Sequence, residues 1–259
     1  MRSLLLAACL SLVGCAHAPA PESTPTPAPA PLSASAAQAL IDVPDRIPAD
    51  RALDEGRHPA ALIEFAGVGP GMKVAELMAG GGYTTELLVR AVGPTGTVYG
   101  HNPKFVVEKF GKVWDERLAR PINAKVIRLD REFDEPFPSE VKDLDVVISN
   151  IIYHDSVWLK ADRAKMNAAV FKALKPGGAY MVLDSSAKVG AGVSEAQTLH
   201  RIEEKTVRDE VLAAGFQLAG ESDVWRNPQD ARDWSSSPSA AGERRGTSDR
   251  FALKFIKPR

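Results

Sequence analysis

The chain has only two cysteines in 259 residues, Cys9 and Cys15, and none after that. A domain built from the remainder has no disulfide, no thiolate nucleophile and no cysteine metal site. An excess of charge is also missing: 32 Lys and Arg stand against 33 Asp and Glu, with no long basic run. Nothing here calls for a nucleic-acid partner. The apolar run at residues 4–13 is too short to span a bilayer as a permanent helix. No GxSxG elbow, P-loop or HExxH motif occurs, and the five histidines are scattered without ligand spacing, so no metal is expected. The sequence still permits His154 and His200 to meet Asp155 and Asp184 at one divalent-metal site.

What is present is a strand–turn–helix signal at residues 73–88, KVAELMAGGGYTTELL. Val74, Ala75, Leu77 and Met78 read as a buried parallel strand. Gly80, Gly81 and Gly82 then permit backbone conformations and close approaches that a Cβ would forbid, and a helix begins at Tyr83. Such a turn lets a ligand touch the main chain, or it simply joins strand to helix.

Strand and helix patterns alternate from there on. The helical pattern at 50–65 is broken at Pro59, which suits a helix start. Strands are predicted at 97–102, 124–129, 144–152, 179–184, 216–225 and 250–257, and helices at 105–118, 158–174 and 203–214. With the strand at 73–78 this makes an α/β single domain around a doubly wound, mostly parallel seven-stranded sheet, whose site lies at the carboxyl ends of the strands.

The order acid, apolar, small residues, three glycines, followed by Asp130 after the third strand and Ala173 to Gly178 (ALKPGG) before the fifth, resembles class I S-adenosylmethionine (SAM) methyltransferases. The tail from residue 198 onward resembles a bacterial group of predicted methyltransferases, many with secretory leaders. The resemblance implies a Rossmann-like methyltransferase fold with SAM as cofactor. It implies that Glu76, Met78, Ala79, Gly80, Gly81, Gly82 and Tyr83 form the cofactor loop, with Glu76 steadying the glycines or the amino-acid moiety. Asn102 stands where the family carries a ribose-binding acid, a departure that removes charge-assisted strength. Asp130 and Arg131 fall where the adenine is flanked; otherwise they are a solvated acid and its counter-ion.

Asn150, His154 and Asp155 follow the fourth strand, where this fold turns residues toward the transferred methyl group. A His beside an Asp suits a general base, with Asn150 orienting substrate or cofactor. The structural alternative has Asp155 capping a helix and His154 holding a loop carbonyl. His200 and Arg201 follow a Gly-rich segment at 189–193 that reads as a lid, and Arg201 suits a carboxylate or phosphate unless it is an exposed helix residue. Asp249 and Arg250 are placed to brace the His200 loop. The expected activity is methyl transfer to oxygen or nitrogen of a small molecule. The alternative is a non-catalytic periplasmic binding protein that retains the fold without SAM.

Arg2 and the apolar run after it have the form of a secretory signal, and Leu12, Val13, Gly14, Cys15 resembles the lipobox of bacterial lipoproteins. The expectation is a signal peptide over 1–14, a lipidated Cys15 as the sole membrane attachment, a Pro/Ala-rich linker over 15–40, and a methyltransferase-like domain over 41–259 in the periplasm. An ordinary signal peptide with a chance cysteine is the other reading of the leader.

Overall fold

The computed structural model describes residues 30–259, so the signal segment, the lipobox and Cys15 lie outside the described residues. Seven strands form one sheet: β1 (Lys73–Leu77), β2 (Thr97–Asn102), β3 (Ile127–Asp130), β4 (Leu144–Asn150), β5 (Leu174–Ser185), β6 (Gln217–Ser222) and β7 (Arg250–Ile256). Their spatial order is β3-β2-β1-β4-β5-β7-β6, with β7 antiparallel to both neighbours and the other pairs parallel. The winding reverses between β1 and β4, the point at which sheets of this kind place a binding crevice, at the carboxyl ends of the strands. The expected α/β architecture is the one observed.

Among the described residues eight α-helices accompany the sheet: α1 (Ala34–Ile41), α2 (Pro48–Arg57), α3 (Pro59–Ala66), α4 (Tyr83–Val92), α5 (Lys104–Leu118), α6 (Tyr153–Trp158), α7 (Arg163–Ala173) and α8 (Glu204–Ala213). One apolar layer contains Val74, Leu87, Leu88, Ile148 and Met181; the other contains Ala75, Leu77, Val147, Tyr180, Val182 and Phe255. Alternation along β1 and β4 sends successive side chains to the two layers, which is why these strands read as continuous apolar runs. No helix among the described residues is long and apolar enough to cross a membrane.

Two elements differ from the sequence-based expectation. Helix α1 lies within the segment read as linker; Ser33 caps it, and its Ala37 and Ile41 are buried, so the fold recruits chain upstream of Ile41. The helix expected over 158–174 is two helices. Lys160 takes a left-handed φ of 58°, ending α6, and the Asp162 side chain accepts from the Lys165 amide to start α7. At the next boundary Pro59 occupies the first turn of α3 directly after left-handed His58, as its place in the sequence predicted.

Candidate active site

The glycine loop leaves β1 in left-handed conformations, with φ of 50° at Met78, 58° at Gly80 and 82° at Gly82. A Cβ on Gly82 would lie 2.5 Å from Trp114, whereas one on Gly80 would meet nothing within 4 Å. Gly82 is thus required by packing inside the protein, and Gly80 borders open space. Ala79 donates its amide to the His101 carbonyl at 2.8 Å, which fixes the loop against the end of β2.

Neighbouring side chains hold this loop by its backbone. Asn102 accepts from the Gly80 amide at 2.8 Å and donates to the Gly80 carbonyl at 3.2 Å. A buried amide occupied in this way braces the cradle, a task for which a carboxylate lacks the donor. His101 accepts from the Met78 amide at 3.3 Å through Nδ1 and donates to the Arg131 carbonyl at 2.8 Å through Nε2. Burial pushes its pKa down to about 4, so the ring is neutral, which this pair of bonds requires. From α5, Arg117 donates to the Gly81 carbonyl at 3.0 Å and pairs with Asp50 of α2 and Glu86 of α4.

Glu76 is buried beneath the loop and accepts from Thr85 at 2.5 Å. Burial raises its pKa to about 7, against hydrogen bonding from Thr85 and Thr84. It steadies the junction of β1 with α4 and is committed to the protein. Tyr83 donates its hydroxyl to Asp54 at 2.7 Å, and Arg57 lies 4.5 Å over its ring. The Arg57 guanidinium makes no side-chain hydrogen bond or ion pair among the described residues. At the end of β4, Asn150 donates to Thr84 Oγ1 at 3.0 Å while its own Oδ1 is buried without a partner among the described residues. Asp130 accepts from Arg128 through both oxygens, and Arg131 donates to the Glu135 carbonyl. The counter-ion of Asp130 is therefore Arg128, two residues back along the same strand face, and not Arg131.

The second cluster lies beyond β4 and β5. His154 Nδ1 stands 2.7 Å from Asp184 Oδ1, and the His154 amide donates to Asp184 Oδ2 at 2.8 Å. Asp184, at the end of β5, is thus the hydrogen-bond partner of His154, in place of its sequence neighbour. Asp155 caps nothing; its Oδ1 accepts from the Trp158 indole at 2.7 Å and lies 3.5 Å from His154 Nε2. His200, left-handed at φ 51°, brings Nδ1 to 3.2 Å from His154 Nε2. Burial works against the charged form of His154, but Asp184 and Asp155 raise its pKa to about 9. Burial and the neighbouring His154 lower that of His200. Two of the histidines, His154 and His200, are thus brought together with Asp155 and Asp184, the meeting that the sequence permits although their spacing does not indicate it.

Arg201 does not join this cluster. It is wholly buried, pairs with Asp230 at 2.8 Å, donates to the Trp234 and Ser186 carbonyls, and precedes α8. It is neither an exposed helix residue nor open to a ligand; it anchors the segment that delivers His200. Asp249 and Arg250 are braces as well, with Asp249 against Arg232 at 2.8 Å and Arg250 donating to the Gly56 carbonyl at 2.5 Å. The segment expected as a lid is tied down where Glu203 accepts from the Gly190 and Gly192 amides. Arg117, Thr84 and Thr85 escaped the sequence reading. For Arg117 the only signal is its position three residues after Trp114, on the helix face that covers Gly82.

No family model matches the chain. The ubiquinone/menaquinone biosynthesis C-methyltransferase UbiE of Burkholderia vietnamiensis is 30% identical over 144 residues, 54% of this chain and 54% of that protein. The chain thus spans about half the length of the curated relatives it matches. A SAM-dependent methyltransferase from Aquifex aeolicus superposes with a TM-score of 0.57 at 18% identity, covering 87% of this chain and 98% of that one. A sarcosine dimethylglycine methyltransferase, described as putative, from Galdieria sulphuraria gives 0.57 at 17% identity, covering 80% and 86%. The chain has the class I SAM-dependent methyltransferase fold and is homologous to UbiE-type methyltransferases over the matched half.

Proposed function

We propose that the protein is a SAM-dependent methyltransferase acting on oxygen or nitrogen of a small molecule. The observation that carries this reading is the cradle at Gly80, where a strand-end loop is braced from behind by Asn102 and bordered in front by open space. The residues fit the cofactor. Gly80 admits a ligand against its backbone, the orphaned Asn150 Oδ1 offers an acceptor for an ammonium, and Arg57 is an uncommitted cation beside Tyr83. Bound SAM supplies an electrophilic methyl group. The protein supplies position, from a loop whose backbone is fixed before the ligand arrives. It also supplies a place for the acceptor beyond β4, where His154, held by Asp184, is placed to orient a hydroxyl or amine and His200, whose pKa is lowered by burial and by His154, is placed to take up its proton.

Calorimetric titration with SAM and with its demethylated product tests the reading. Binding is expected for the wild type and its loss for Gly80→Val, whose Cβ enters the open space with nothing within 4 Å of it. Equal affinity in both proteins would remove the cofactor assignment.

The same reading has the protein exported and held at the membrane by a lipid on Cys15, which lies outside the described residues. The support is the lipobox-like Leu12 to Cys15. Cys15→Ser in a Gram-negative host is expected to move the protein from the membrane to the soluble fraction, and unchanged fractionation would count against lipidation.

A further inference from the structure

We infer that His154, His200 and Asp155 form a binding site for one divalent transition-metal cation of the zinc type. His154 Nε2, His200 Nδ1 and Asp155 Oδ1 face one another at 3.2, 3.5 and 3.8 Å. A tetrahedral cation with bonds of about 2.1 Å separates its ligand atoms by about 3.4 Å. The three edges bracket that value, so a cation fits among the three atoms with little side-chain movement.

Two further observations point to a cation. His154 is oriented as a metal ligand is: its Nδ1 faces a buried carboxylate, Asp184, which fixes the ring and turns Nε2 to the centre of the triad, where a cation would take the place of the Nε2 proton. Asp184 is held in turn by the amides of His154 and Ser185 at 2.8 and 2.7 Å. Asp155 is likewise positioned, by the Trp158 indole. Moreover, Asp155 and Asp184 are 7% and 0% exposed, and neither forms an ion pair with a lysine or arginine among the described residues. Two buried carboxylates need positive charge beside them, which either a protonated His154 or a bound cation in its place supplies. Three protein donors leave the fourth position of a tetrahedral site for solvent or a ligand, the arrangement of reactive sites and not of closed structural ones.

The competing account is a His154–His200 hydrogen bond with no metal. The purified full chain, stripped with chelator and titrated with Co2+, distinguishes them. Binding of one equivalent with the intense visible absorption of tetrahedral Co2+, displaced by Zn2+, is expected. His200→Ala, which removes a partly exposed ring, should leave thermal unfolding nearly unchanged and weaken Co2+ binding by about a hundredfold. Asp184→Asn, which loosens the orientation of His154, should weaken it by about tenfold. No stoichiometric binding, or binding that survives unchanged in folded His200→Ala, overturns the site. SAM calorimetry on the same samples separates the proposals: cofactor binding without Co2+ binding leaves methyl transfer standing and removes only the metal.

Discussion

The two halves of the crevice are built on opposite plans. At the ends of β1 and β2, side chains point at the backbone of their own loop: Asn102 at Gly80, His101 at Met78, Arg117 at Gly81. Beyond β4 and β5, side chains point at one another: His154 at His200 and Asp184, with Asp155 close by. The first half spends its polar groups on holding a shape; the second gathers groups whose ionised forms are strongly coupled. A cofactor common to many reactions needs a rigid backbone surface, whereas a particular acceptor needs side-chain chemistry that the surrounding protein does not quench.

That contrast is broken most severely at Gly82. Gly82→Val drives a branched side chain into buried Trp114 from a left-handed backbone, and a loss of about 3 kcal/mol or more is expected in denaturant unfolding. Gly80→Val, with open space ahead of it, should cost only about 1–2 kcal/mol from its backbone conformation. Equal destabilisation by the two would mean that the cradle is packed on both sides.

In the other half, His154→Ala should reduce turnover by about a hundredfold with SAM affinity nearly unchanged. It also leaves buried Asp184 without its imidazole, so a lower melting temperature accompanies the loss. A change in SAM affinity as large as that in turnover would show the two halves to be one unit.

Glu76 gives the comparison a pH dependence. Its native pKa of about 7 lies above the ordinary 4.5, so the folded state favours the protonated carboxyl. The stability this confers is complete below pH 4.5 and is lost as pH rises through about 7. Glu76→Gln should therefore stabilise the protein by roughly 2–3 kcal/mol at pH 8 and very little at pH 4. A pH-independent effect would place the carboxylate in contact with water or a cation.

The smallest effect sharpens the role of Asn102. Asn102→Asp restores the acid that the resembled family carries, and sequence alone argues for tighter SAM binding. Its contacts argue the reverse: a carboxylate keeps the bond from the Gly80 amide but faces the Gly80 carbonyl without a proton. A loss of about 1 kcal/mol in stability, with no gain in SAM affinity, is expected. Tighter binding would return Asn102 to the ribose.

The strands and the glycine turn were legible because apolar runs bounded by glycine report burial on both faces of a parallel sheet. Helix α1 was not, since its Ala and Ser residues continue the composition of the preceding Pro/Ala-rich stretch and only packing distinguishes them. Asn150, His154, Asp155 and His200 were each legible as polar residues at strand or loop ends. Their partners were not. The pairing of His154 with Asp184 depends on β4 lying beside β5, and the approach of His200 depends on Arg201 and a left-handed residue after a long loop. Local sequence carries propensity; it carries little about which distant side chains a register brings together.

The bidentate hold of Arg117 on Asp50, together with its bond to the Gly81 carbonyl, makes α2 a mechanical extension of the glycine loop. Whatever stiffens that loop must also slow the detachment of an element nearly 30 positions earlier in the chain. Occupancy of the crevice thus becomes readable at the edge of the domain: the amide hydrogens of α2 between Asp50 and Gly56 should exchange more slowly when the cofactor is bound, although none of them need touch it.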